Sequence, residues 1–146
     1  MAVSPELAHY AGPVAVTVGY VALYYGILIH ILRVKTALSR QYREKGEKFD
    51  RYFGQDREML AADRIQLNTL EHMPTFLVLL WLNAVFIGTT GATIVGSIYL
   101  AARVAYPFVV GDRLGRSVPA RILLVTVPGY AVVAYFSFAL IYGILS

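Results

Sequence analysis

Four apolar stretches dominate the pattern of the chain: residues 13–32, 71–88, 91–110 and 118–145. Each is long enough to cross a bilayer, which takes roughly 20 residues of helix. Within them the apolar positions run on without strict alternation, which argues against the strands of a barrel. Hydrocarbon offers no water to backbone amides and carbonyls, so the stretches are predicted to be helices. The pattern therefore predicts an all-α integral membrane protein, a bundle of four transmembrane helices forming one domain over residues 1–146. Composition agrees. The chain is 58% hydrophobic and 15% charged, whereas a soluble domain carries about a quarter charged residues.

Charge adds an orientation. Residues 1–32 contain no Lys or Arg, so the first apolar stretch reads as a retained span rather than a cleaved secretory signal. Nine of the 13 Lys and Arg residues fall between Arg33 and Arg64, three more are Arg113, Arg116 and Arg121, and Arg103 lies inside the third span. With four spans, the 33–64 and 111–120 loops share one side. The positive-inside rule places both loops in the cytoplasm and both termini opposite. The membrane would be the inner membrane in a bacterium or the endoplasmic reticulum in a eukaryote. The first loop is mixed in sign and is expected to continue spans one and two as helices that join between Gly46 and Gly54, with basic residues near lipid head groups. Nothing in the chain suggests a nucleic-acid partner.

The candidate chemistry lies in the polar residues within the spans. Arg64, Asn68 and Glu71 are spaced four and three apart, which sets them on one stripe of a helix, while Gln66 points the other way. Tyr99, Arg103 and Tyr106 form a matching stripe in the third span. A charge at the bilayer centre costs about 2.5–3.5 kcal/mol; the Arg64 stripe is expected nearer the interface, where the cost is lower, but it still needs partners, and such residues turn to a bundle interior or a wet cavity. Two readings follow. Glu71 could pair with Arg103 and simply lock two helices. Alternatively, an excess of Arg with one carboxylate, amides and tyrosines would take a small ligand bearing carboxylates and an ammonium. Pro74, Pro107 and Pro128 each free a carbonyl one turn back, at Leu70, Arg103 and Leu124, and are expected to bend their helices. The other tyrosines, Tyr10, Tyr20, Tyr24, Tyr25 and Tyr142, are expected in interfacial belts or packed between helices. With three His and no Cys the chain offers neither a dedicated metal site nor a thiol nucleophile of its own.

The segment "RIQLNTLEHMP" resembles the signature of the membrane-associated proteins in eicosanoid and glutathione metabolism, the MAPEG family, which includes the microsomal glutathione transferases. The matching residues are Arg64, Gln66, Asn68, Glu71 and Pro74. "YLAARVAY" is similar to the third helix of that family, and "GRSVPAR" to the start of its fourth. The resemblance implies a homotrimer with glutathione held between neighbouring subunits near the cytoplasmic face. It implies that Arg64, Gln66, Asn68, Glu71, Arg103 and Tyr106 hold the tripeptide. Arg33 or Lys35 would match a further basic ligand, and His72 stands where some members carry Tyr. Val110 stands where a second tyrosine of the third helix is often found. Arg116 would stabilise the thiolate, with Arg113 and Arg121 as rivals for that role, Arg121 the closer by helix geometry.

The implied activity is that of a membrane-embedded glutathione transferase, with possible peroxidase action. It would turn the thiolate on a lipophilic electrophile or lipid hydroperoxide arriving through the membrane lipid. A non-catalytic scaffold of the same architecture, binding glutathione or a lipid, is the alternative. A transporter would need polar residues through the whole membrane depth, whereas here they concentrate in one half.

Overall fold

The computed structural model describes residues 5–112, 115 and 120–146. A 3-10 turn, Pro5–Tyr10, leads into α1 (Ala11–Glu44). α2 (Arg57–Phe86) and α3 (Thr89–Val110) follow, and a second 3-10 turn, Ala120–Ile122, opens α4 (Leu123–Leu145). All four helices are long and apolar enough to span a membrane. The all-α, four-helix bundle read from the sequence is the architecture observed.

α1 runs for 34 residues, about 51 Å at 1.5 Å per residue. A hydrocarbon core of about 30 Å leaves its last turns standing clear of the membrane. Gly46, at φ 72°, turns the chain off the helix end. Asp50 then accepts from the amides of Tyr52 and Phe53 at 3.0 and 2.9 Å, and those two bonds hold its carboxyl below the usual range. Asp56 caps α2 by accepting from the amides of Glu58 and Met59. A Lys35–Asp63 ion pair of 2.9 Å straps the two helical extensions together, and Lys35 also donates to the Arg51 carbonyl at 3.2 Å.

In the bundle α2 and α3 form the shared centre, with α1 and α4 each packed against both. One core, built on Val16, Tyr20, Phe76, Leu80, Tyr99 and Phe136, lies toward the 87–88 turn. A second, of Ile27, Ile65, Tyr106, Val110 and Val125, lies toward the charged loop. Large apolar side chains such as Val18, Val78, Ile94 and Phe138 point outward and are exposed, as expected where the solvent is lipid. Polar clamps secure the helices. Asn83 donates to the Leu79 carbonyl of its own helix at 2.9 Å and to the Phe136 carbonyl of α4 at 3.1 Å. Trp81 donates to Thr17 of α1 at 3.1 Å. The three internal prolines lie within α2, α3 and α4, which remain helical through each of them.

Candidate functional site

Arg103 is the centre of the polar region. It sits in the middle of α3, is 2% exposed, and has only part of its charge answered. Nη1 donates to Asn68 Oδ1 of α2 at 2.8 Å, and the guanidinium carbon lies 4.9 Å from the centre of the Tyr99 ring. Nε and Nη2 are buried without a hydrogen-bond partner. Such groups are rare, because desolvating a donor without replacing its bond costs about 1–3 kcal/mol, and more when it is charged.

The surroundings explain how the guanidinium is held. Tyr99 is fully buried and stacks on Phe76 with ring centres 3.9 Å apart. Tyr20 of α1 stacks on Phe76 at 5.4 Å, and its hydroxyl donates to the Thr69 carbonyl at 2.9 Å. These rings form a rigid floor beneath Arg103. From α4, Gly129 gives the guanidinium room: a Cβ there would lie 2.9 Å from Nη2.

The two stripes read from the sequence do meet. Asn68 touches Arg103, and Tyr106, buried on α3, lies within the electrostatic reach of Arg64, Arg103 and Glu71. His72 is half-buried, close enough to feel both Arg103 and Glu71, with its ring edge-on to Tyr130 of α4 at 5.3 Å. No ion pair joins Glu71 to Arg103, so the helix-locking pair considered from spacing is not formed; the amide of Asn68 occupies that role. Arg64 and Glu71 are exposed, at the edge of the α2–α3 contact where both lie near Tyr106.

The remaining expected ligands are dispersed within the single protomer. Gln66 turns to α1 and donates to the Tyr24 hydroxyl at 3.4 Å. Lys35 is engaged by Asp63, while Arg33 is exposed on α1 and Arg121 is exposed in the turn before α4. Arg113 and Arg116 lie outside the described residues. Sequence reasoning missed Gly129, Thr69 and Tyr130 and left Tyr20 among the general aromatic residues. None shares a helix with Arg103, so helical spacing carried no signal for them.

The chemistry available is that of an anion site: a buried guanidinium with two unspent donors, beside a second arginine, an amide, a phenol and one carboxylate. The family model of the MAPEG family matches residues 13–142. No curated protein matches the chain.

Proposed function

The chain belongs to the MAPEG family, and from that premise we propose that it is a glutathione transferase of the microsomal type. The single observation that carries this reading is Arg103, a buried cation with two nitrogens unpartnered. A carboxylate of glutathione would take those donors bidentately, and Asn68 already fixes the orientation of the guanidinium. Arg64 would meet the second carboxylate and Glu71 the ammonium. Tyr106 would hydrogen-bond the peptide, and Gln66, His72, Arg33, Lys35 and Arg121 complete the proposed ligand set.

The working form in this proposal is a homotrimer. Arg64 and Glu71 are exposed on the protomer, and a charge left against lipid carries a cost that rises from the interface toward the bilayer centre. A neighbouring copy laid over α2 removes that cost and closes the site. The sidedness is the one that the charges favour, with both basic loops cytoplasmic, so glutathione enters from the cytosol.

Arg116 is assigned the activating role. A free thiol with pKa near 8.5 is only a few per cent ionised at neutral pH, and a nearby guanidinium favours the thiolate. Glutathione gives its proton to solvent, the sulfur bonds to the electrophilic carbon, and halide leaves with the electron pair of the broken bond. The electrophile arrives from the lipid side.

The test is conjugation of a chlorodinitrobenzene in detergent, measured against a control without protein. We expect turnover saturable in glutathione, a KM raised about tenfold or more by Arg103→Leu, and slow turnover with retained glutathione binding in Arg116→Ala. The rate in the parent protein should climb with pH only up to the lowered thiol pKa, and in Arg116→Ala the climb should move toward pH 8.5. Unchanged turnover in Arg116→Ala would remove that residue from the mechanism. Binding without turnover would make the protein a scaffold, and no saturable binding would overturn the reading altogether.

A further inference from the structure

Beside the Arg103 site, between α1 and the last turns of α3, lies a cavity of about 460 Å³, within the range of small-molecule sites. Its walls are Leu23, Gly26 and Ile27 of α1, Val104 and Phe108 of α3, and Ile65 of α2. Ile27 and Ile65 also pack on Tyr106, so one layer of side chains separates this chamber from the arginine site. Gly26 is exposed, and a Cβ built on it meets nothing within 4 Å. The chamber is therefore open at the helix surface and has space to spare beside α1.

The mouth has a different character from the walls. His30 and Asp112 line both this cavity and a second one of about 510 Å³ that continues toward the charged loop. α3 ends at the same point, with Gly111 at φ 77° and its amide bonded to the Pro107 carbonyl. The last carbonyls of a helix carry about half a negative charge, and Asp112 adds a full one. Among the described residues no Lys or Arg lines either cavity. Among the described residues charge is thus segregated along α3: cationic around Arg103, anionic two turns further on at this mouth. From Leu23 to His30 the helix rises about 10 Å, the depth available to an alkyl chain below the mouth.

We infer that the α1–α3 chamber is a second ligand site, for a single-chain amphiphile with an ammonium head. The chain fills the apolar chamber, contributing about 0.8 kcal/mol per buried methylene. The head lies at Asp112 and the carboxyl end of α3, where a carboxylate head would be repelled.

The experiment uses the whole protein in nanodiscs of zwitterionic lipid. Decylammonium, decanol and decanoate are compared, and uptake is taken as the excess over discs without protein. Leucine there narrows the chamber and suits a helix better than glycine, so this variant should fold and retain glutathione conjugation. We expect saturable decylammonium binding about tenfold tighter than decanoate binding, lost in Gly26→Leu. Asp112→Asn should keep decanol binding and erase most of the preference for ammonium. The inference falls if decanoate binds as well as decylammonium, or if Gly26→Leu binds like the parent. It falls too if Gly26→Cys, a unique thiol in a chain without cysteine, forms disulfides between copies, because a second copy then covers the face.

Discussion

Gly129 decides where the Arg103 guanidinium can lie. A Cβ on α4 would come within 2.9 Å of Nη2 while meeting the Tyr99 ring at an ordinary contact of 3.7 Å. The atom struck is the far end of a long side chain, so the protein can yield by moving the guanidinium rather than the helix. Alanine also favours a helix over glycine by about 1 kcal/mol. We therefore expect Gly129→Ala to leave the melting temperature unchanged or slightly higher while raising the glutathione KM about tenfold, with kcat much less affected. Thermal unfolding measured beside steady-state kinetics checks the split, and a parallel loss of stability would show that the site is not the part that moves. At this scale the sequence revealed half of the site. Spacings of three and four put Arg64, Asn68 and Glu71 on one stripe, and Tyr99, Arg103 and Tyr106 on another, because one helix face is a local property. Which member of one stripe meets the other depends on how the helices approach each other, so Asn68 rather than Glu71 bonding Arg103 could not be read from spacing.

The approach of the helices is itself set by small residues. Gly96 of α3 faces Leu80 of α2 and Val16 of α1, and a Cβ there would lie 2.8 and 3.3 Å from their side chains. A Cβ on Gly12 would land on Thr93 across the α1–α3 contact. In lipid the helices gain little from hydrophobic burial against each other, so close packing through small residues carries much of the association. Gly96→Leu should accordingly lower stability by about 1–3 kcal/mol through overpacking, seen as a lower midpoint in thermal unfolding in detergent. Gly91→Ala, where a Cβ would meet nothing within 4 Å, is the matched control and should unfold at the parent temperature or slightly above. The existence of the four helices was legible because length and hydropathy suffice to specify a span. The crossing glycines were not, because a glycine in an apolar run reads the same whether it faces a neighbour, as Gly96 does, or open space, as Gly91 does.

At the scale of the molecule, the outer surface of the protomer combines two solvents. Most outward side chains are apolar, including Val78, Ile94 and Phe138, yet Arg64 and Glu71 are exposed on the same bundle. Lipid accepts the first group and penalises the second, the more so the deeper the charge lies. A surface of this kind is consistent with lipid on some faces and protein on the α2 face. If the site closes only between copies, glutathione binding and assembly are linked, and ligand must favour the assembled form by mass action. We expect native mass spectrometry to find three copies per particle. Dilution in detergent should give protomers that bind glutathione poorly, and saturating glutathione should shift the dissociation midpoint to lower protein concentration. Glu71→Gln and Arg64→Gln together remove both charges without changing side-chain shape much, and should weaken that shift while leaving the helical content intact. A dispersed protomer that binds glutathione as tightly as the assembly would place the whole site within one chain, and the exposed charges on α2 would then need a partner other than a second copy.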